Sequence, residues 1–283
     1  MEEAIKKADV LIEALPYIKK FHNKIIVINY GGSILGEEKI RKGVVEDIVF
    51  LNFMGLKPVL VHGGGPNISD RIRASGKKTE FVDGMRVTDK ETLKVVEEEL
   101  QSLNDLIVQE ISDLGARAIG LNGKDNIIKV EKKKAKIDLG LVGQIVEIDS
   151  SVILEELKKD KVAVVLPMGI GRDKKTYNVN ADEAASDISA ALKAEKLVLL
   201  TNVRGVMRDP DDPNAFLSTL TVEDAKGLIL DNVIQQGMIP KVSACIRALE
   251  NGVKKTHIID ARIPHGLLLE IFTDKGVGTE IVK

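Results

Sequence analysis

The chain has 283 residues with 41 Lys and Arg against 43 Asp and Glu, a net charge of −2, so no global basic field favours nucleic acid; aromatics at 3% with no Trp leave few platforms for stacked bases. Its one cysteine, Cys245, excludes an internal disulfide and a thiolate metal cluster, and at helical spacing among apolar residues it reads as core. The N-terminus is charged from Glu2 and carries no apolar run long enough for a signal peptide or a membrane span, which points to a cytoplasmic protein of one α/β domain or two lobes sharing a sheet.

Residues 2 to 20 place Ile5, Val10, Leu11, Ala14, Leu15 and Ile18 three and four apart, an amphipathic helix in which Pro16 removes an N–H and predicts a kink near Leu15. Ahead of the first strand, such a helix either covers the sheet or packs on another subunit. Val27-Ile28-Asn29-Tyr30 is an apolar strand that runs into Gly31-Gly32, and residues 37 to 54 are helical by period. Residues 57 to 62 form a second strand that stops at Gly63-Gly64-Gly65, with an amphipathic segment from Asn67 after it, so a βαβ unit is complete by this point. Residues 79 to 88 read as a small hairpin turning at Asp83-Gly84, with Arg86 on the return arm as an ordinary surface charge on composition alone.

A helix over 89 to 114 and a strand over 117 to 121 follow, and the short β pieces between 127 and 149 flank Lys132-Lys133-Lys134, read as a solvated hairpin tip. Helix 151 to 159 leads to a strand at 162 to 168 and a third glycine pair, Gly169 and Gly171. Asn178, Asn180 and Asp182 cluster where an alternating segment turns into an alanine-rich helix, a polar corner that is either catalytic or a helix cap. A strand at 197 to 201, a loop at 202 to 212, a helix from Gly237 to Asn251 that carries Lys241 in its first turn, and strands at 256 to 260 and 280 to 282 close the chain. Strand and helix alternate throughout, the pattern of an α/β fold.

Glycine at a strand-to-helix corner has a chemical use. Without Cβ the backbone comes within hydrogen-bond distance of a ligand, and the orphan N–H groups of the next helix point at the same place. Three such corners suggest a common mouth at the carboxyl ends of parallel strands. None fits the P-loop or the Gly-x-Gly-x-x-Gly pattern.

With these motifs in order, the sequence resembles the amino acid kinase family, and within it the branch that phosphorylates N-acetyl-L-glutamate in arginine biosynthesis. The resemblance rests on His62-Gly63-Gly64-Gly65-Pro66, residues 81 to 89, Gly120-Leu121-Asn122-Gly123-Lys124-Asp125, Leu141-Val142-Gly143, residues 177 to 185, Gly237-Met238-Ile239-Pro240-Lys241-Val242 and residues 257 to 279, nearly the whole chain. It implies a three-layer αβα sandwich with a mainly parallel central sheet, divided into an oligomerisation helix at 1–23, an acyl-acceptor lobe at 24–170 and a nucleotide lobe at 171–283. It implies transfer of the γ-phosphoryl of ATP, with Mg²⁺ bridging nucleotide oxygens and no side chain assigned as a metal ligand, to a side-chain carboxylate. By motif, Gly64 and Gly65 offer N–H groups to the acceptor, Arg86 clamps its α-carboxylate and Asn178 its other end. Gly31 and Gly32 approach the phosphoryl group, Lys241 neutralises it, Asp182 orients the cationic groups, and Thr201 and Asn202 face the nucleotide. The N-terminal helix resembles the arginine-inhibited, hexameric members, with Tyr17, His257, Glu270 and Gly276 as the effector positions.

Three positions depart from the family pattern. Asn29 stands where the family has a lysine that stabilises the phosphoryl group in flight; Leu103-Asn104-Asp105 replaces a pattern ending in Asn-Lys; and Asn202 replaces an aspartate. Two readings follow. The chain is a working kinase whose charge comes from Lys241 with Mg²⁺ or a relocated lysine such as Lys124, or it is an impaired kinase-fold sensor of arginine or N-acetylglutamate. Arg86, Asn178, Asp182 and Lys241 favour the first, and a kinase for a longer acyl-amino acid is a third reading.

Overall fold

The computed structural model describes every residue except 83, 210, 211, 213, 214, 236, 274 and 275, and every side chain of the remainder except those of Glu3, Ala4, Lys6, Lys7, Ala8, Val10, Leu11, Ser33 and Lys124. Its first half comprises α1 (Glu2–Phe21), β1 (Ile25–Tyr30), α2 (Gly32–Leu35), α3 (Glu38–Phe53), β2 (Lys57–His62), α4 (Gly65–Ala74), β3 (Phe81–Val82), β4 (Met85–Arg86), α5 (Lys90–Asp113), β5 (Arg117–Leu121), β6 (Ile128–Lys132) and β7 (Gly143–Ile148). The second half comprises α6 (Ser151–Lys158), β8 (Lys161–Val165), β9 (Met168–Gly171), β10 (Thr176–Asn178), α7 (Ala181–Ala191), β11 (Lys196–Thr201), β12 (Thr219–Thr221), α8 (Val222–Leu230), α9 (Met238–Glu250), β13 (Lys255–Asp260), α10 (Gly266–Phe272) and β14 (Thr279–Val282).

The strands β1, β2, β8 and β11 are continuous apolar runs because both of their faces are covered. They sit inside an eight-stranded sheet of order β12-β14-β13-β11-β1-β2-β8-β5, parallel except where β14 pairs antiparallel with β13. Alternate residues along each strand feed two cores. On one face Val27, Val59, Val61, Leu197 and Leu199 pack with Ala184 and Ile188 of α7 and Val242, Cys245 and Leu249 of α9. On the other, Ile26, Ile28, Leu60 and Val198 pack with Ile48 and Leu51 of α3, Ile107 and Ile111 of α5, and Leu267 and Ile271 of α10. Helices on both faces of a mainly parallel sheet are the three-layer sandwich that the sequence pattern implies. A second sheet of order β10-β9-β6-β7 and the β3–β4 hairpin lie outside it.

Four local expectations change. The strand read over 162–168 breaks at Leu166-Pro167, since proline has no N–H for a ladder, and β9 goes to the second sheet. The third glycine pair goes with it. A Cβ on Gly169 would collide with the Val130 side chain of β6, so this glycine serves sheet packing and not the mouth. Lys133 is no solvated tip, since its ammonium lies 2.5 Å from Glu183 in the first turn of α7. The helix expected from Asn67 starts at Gly65. The turn residue Asp83 lies outside the described residues. Helix α1 continues through Pro16, with Tyr17 against the second core while Ile5, Ile12 and Leu15 stay exposed. Among the described residues no helix is long and apolar enough to cross a membrane.

Candidate active site

The pairing of β1 with β2 aligns Tyr30 with His62, so the two glycine corners that follow these strands are neighbours. Gly63 N donates to Tyr30 O at 3.1 Å, and Gly31 N donates to Leu200 O of β11 at 3.0 Å, which ties three strand ends together. A Cβ on Gly32 would stand 2.8 Å from Gly64 N and 2.6 Å from Gly65 N. Those amides therefore face the Gly31-Gly32 corner, and only a residue without a side chain permits the approach.

Next to the corner lies a charged group built from three separate segments. Asn180, the N-cap of α7, accepts hydrogen bonds through Oδ1 from Asp182 N (2.8 Å) and Glu183 N (3.1 Å), so the two asparagines of the polar corner divide the work and Asn180 is the cap. The capped turn holds Asp182, whose Oδ1 accepts from Asn29 Nδ2 at 2.5 Å. Lys241, in the first turn of α9, donates to both oxygens of Asp182 at 3.1 and 3.3 Å. The packing of α7 beside α9 brings Lys241 to Asp182, although 58 residues lie between them in sequence. Asn29 is 1% exposed and its Oδ1 has no hydrogen-bond partner among the described residues, so there this buried side chain uses its donor and leaves its acceptor idle.

On one side of this cluster is a pocket of about 170 Å³ whose lining includes Gly64, Gly65, Arg86, Asn178 and Ala181. Arg86 is 6% exposed and not the surface charge that composition suggests. Its Nη2 donates to Gly65 O (2.9 Å) and Ser69 Oγ (2.8 Å), its guanidinium lies 4.6 Å from the Phe81 ring, and its buried Nη1 has no hydrogen-bond partner among the described residues. Burial pulls the guanidinium's pKa down from the ordinary arginine value. A buried cation with an idle donor beside a pocket is a receptor for an anion. Asn178 Nδ2 donates to Thr88 Oγ1 at 3.3 Å on the same wall.

A separate hollow of about 680 Å³ is lined by Val203, Met207, Asn232, Ile234, Gln235 and Met238, among others, and Met238 is in the first turn of α9 with Lys241. Thr201 and Asn202 are not in this lining; Thr201 Oγ1 instead accepts from Val203 N at 2.9 Å and shapes the loop that leads into it. Apart from Met238, which falls in the motif at residues 237 to 242, these lining residues carry no motif, which is why sequence reasoning missed them. Far from the glycine corners, Tyr17, His257, Glu270 and Gly276 do come together, around a pocket of about 200 Å³. His257 Nδ1 lies 2.7 Å from Glu270 Oε1, and Glu270 Oε2 accepts from Val277 N (2.8 Å) and Gly278 N (3.2 Å). A Cβ on Gly276 would stand 2.8 Å from Glu270 Oε1. The Lys124 side chain lies outside the described residues.

Aimed backbone amides, a buried guanidinium and an ammonium held by a carboxylate, all at the carboxyl ends of parallel strands, define an α/β phosphotransferase site for small anionic molecules. The family model for the amino acid kinase family matches residues 24–260. Acetylglutamate kinase from Petrotoga mobilis is 50% identical over 283 aligned residues, covering 99% of this chain and 95% of that protein. Acetylglutamate kinase from Heliobacterium modesticaldum is 44% identical and covers 100% of both chains. Among solved structures, N-acetylglutamate synthase from Neisseria gonorrhoeae complexed with coenzyme A and N-acetyl-glutamate superposes on 98% of this chain with a TM-score of 0.87 at 25% identity, and the chain spans 63% of that protein's length. The same synthase complexed with coenzyme A and L-arginine gives 0.82 at 26% identity, over 98% of this chain and 65% of the synthase. The chain belongs to the amino acid kinase family.

Proposed function

We propose that this protein transfers the γ-phosphoryl group of ATP, carried as its Mg²⁺ complex, to the side-chain carboxylate of N-acetyl-L-glutamate, and that arginine inhibits it. The observation that carries the reading is the Lys241–Asp182–Asn29 cluster, with Lys241 one turn from Met238 of the large hollow and Asp182 next to Ala181 of the small pocket. The hollow takes the nucleotide. The small pocket takes the acceptor, its α-carboxylate on Arg86, its acyl end on Asn178 and its reacting carboxylate on the amides of Gly64 and Gly65. Gly31 and Gly32 admit the phosphoryl group, and Lys241, held by Asp182, stabilises its charge. A carboxylate is already nucleophilic at pH 7, so no general base is required, and catalysis is positioning plus charge stabilisation. We assign residues 24–170 to the acceptor lobe and 171–283 to the nucleotide lobe, with residues 178 to 181 of the second completing the acceptor pocket, and a cytosolic location goes with this activity.

Arginine is assigned to the pocket of Tyr17, His257, Glu270 and Gly276, with Glu270 as the partner of its guanidinium. The exposed Ile5, Ile12 and Leu15 of α1 support a hexamer in which these helices interlace between dimers. A chain lacking residues 1 to 20 is then a dimer by light scattering, and a truncated hexamer contradicts the assignment.

Asn29 favours a second reading, because its neutral amide fills the place at Asp182 where a second cation would stand. In that reading the protein senses N-acetylglutamate or arginine with little turnover. Release of ADP in a coupled assay with N-acetyl-L-glutamate at about 1 s⁻¹ or above, the low end for kinases, establishes the enzyme. No turnover, restored by Asn29→Lys, identifies the missing cation as the cause and leaves the sensor reading, which then requires the parent to bind N-acetylglutamate or arginine.

A further inference from the structure

His62, the last residue of β2, is fully buried beneath the Gly63-Gly64-Gly65 corner, and nothing in the phosphoryl-transfer reading uses it. Asn104 of α5 donates through Nδ2 to the carbonyl of Val164 (3.0 Å) and holds the same nitrogen 3.2 Å from His62 Nε2. Turning that amide over would set Oδ1 against the Val164 oxygen, two acceptors with no proton between them, whereas an NH₂ group has one proton for each of its two partners. His62 Nε2 therefore accepts. Its proton is left on Nδ1, 3.2 Å from Gly63 O. Burial pulls the imidazole down to about 4, so the neutral ring persists at physiological pH.

Peptide geometry carries this to the site. In a trans peptide the C=O of one residue and the N–H of the next point in opposite directions, and among the described residues no peptide is cis. Holding Gly63 O toward the imidazole turns Gly64 N–H away from it, to the side where Gly32 sits 2.8 Å from that nitrogen by its would-be Cβ. With glycine on both sides, no side chain resists rotation of this peptide. We propose that His62 is a positioning residue, that its Nδ1–H fixes the Gly63–Gly64 peptide with the N–H toward the acyl acceptor, and that Asn104 selects the tautomer. The identity of the ligand, though not the peptide anchoring, rests on the function proposed above.

The test uses the full chain labelled with ¹⁵N. Among its four histidines, the ring signals lost in His62→Gln are those of His62, and they are expected to show a protonated Nδ1 and a bare Nε2. Asparagine places its amide near the Nδ1 position and glutamine near Nε2. His62→Gln is therefore expected to weaken N-acetyl-L-glutamate binding by at least about tenfold with ATP affinity unchanged, and His62→Asn to stay within about threefold of the parent. The Gly64 amide resonance is expected to move in His62→Gln and to return in His62→Asn. Asn104→Leu, which keeps the imidazole and frees its tautomer, is expected to give mixed ring signals and a smaller loss of affinity. A protonated Nε2 in the parent overturns the proposal, as does a folded His62→Gln with parental acceptor affinity and an unmoved Gly64 resonance. A parent that binds no N-acetyl-L-glutamate removes the acceptor assignment, and the anchoring is then decided by the tautomer and the Gly64 resonance.

Discussion

Lys241→Met keeps the aliphatic stem and removes the charge. The Lys241 ammonium lies 3.1 and 3.3 Å from the two oxygens of Asp182, and among the described residues it is the cation paired with that carboxylate. A unit charge about 4 Å from a transferring phosphoryl oxygen is worth about 4 kcal/mol at an effective dielectric constant of about 20. Part of that also acts on the bound ground state, so the expected loss in kcat is about 10²- to 10³-fold at about 1.4 kcal/mol per decade. Asp182, left negative, repels the phosphoryl group in the same direction. The acceptor KM should stay within about threefold of the parent, because Arg86, Asn178 and the Gly64 and Gly65 amides are untouched. The ion pair is partly exposed, so the stability change is about 1 kcal/mol or less, and thermal unfolding separates lost charge from lost fold. Adding Asp182→Asn should recover part of the rate, since the uncompensated carboxylate is then gone. A Lys241→Met enzyme within fivefold of the parental kcat would take the ammonium out of the chemistry and refute the reasoning.

Arg86→Lys should raise the acceptor KM by about 10- to 100-fold with a smaller change in kcat, since an ammonium cannot satisfy Gly65 O, Ser69 Oγ and an incoming carboxylate together; steady-state kinetics in both substrates checks this. Gly32→Ala should fold, by circular dichroism, yet lose most of its kcat, because the added methyl strikes the Gly64 and Gly65 nitrogens at 2.8 and 2.6 Å. The pH dependence of stability should contain two opposing slopes. Asp47, bonded to His265 at 2.6 Å, is pushed up to about 6 by burial, so its contribution is complete below the ordinary carboxylate value and is lost as pH rises toward 6. His62, pulled down to about 4 by burial, contributes above its ordinary value near 6.5 and loses that contribution as pH falls to 4. Each is worth on the order of 3 kcal/mol over its window. Urea melts between pH 4 and 6.5 should therefore show Asp47→Asn gaining stability with rising pH relative to the parent, and His62→Asn losing it; parallel curves for all three proteins count against both assignments.

The parts of the site that sequence made legible are those whose local chemistry has one solution. A β-branched run that stops at glycine, followed by a helix, admits a short list of uses, and the corners at Gly31-Gly32 and Gly63-Gly64-Gly65 could be read before any coordinates. Arg86 was named by the family resemblance and not by its local pattern, because its burial depends on the β3–β4 hairpin folding onto α4, where Gly65 O and Ser69 Oγ wait for it. The local pattern around Lys133 was equally silent, since its partner Glu183 is 50 residues away. Helix α8 was missed with its signal in plain view: Thr221 and Asp224 form a reciprocal capping box at its start. Helix α10 offered no such signal, since its N-cap, His265, takes a left-handed conformation with φ 54° and makes no side-chain cap. The break between β8 and β9 was marked by Pro167, which the apolar run around it concealed.

The strand order explains why the site falls where it does. From β1 the sheet extends through β2, β8 and β5 on one side, all three from the first 165 residues, and through β11, β13, β14 and β12 on the other, all from the later part of the chain. At such a reversal the segments that leave neighbouring strands diverge and open a crevice at their carboxyl ends. The small pocket draws its lining from segments that follow β2, β8 and β10, and the large hollow from the segment after β11 and the approach to α9. In the proposed reaction a group passing between them must cross the end of β1, where Asn29, Gly31 and Gly32 sit. An acceptor that is already a carboxylate gives up no proton in that passage, so the crossing needs donors and one fixed cation and no base. The structure divides these duties, with the Asn29 amide holding Asp182 and Asp182 holding Lys241. A neutral residue at position 29 then lowers the charge available at the crossing while leaving the geometry of the crossing intact, which is why Asn29→Lys tests rate separately from fold.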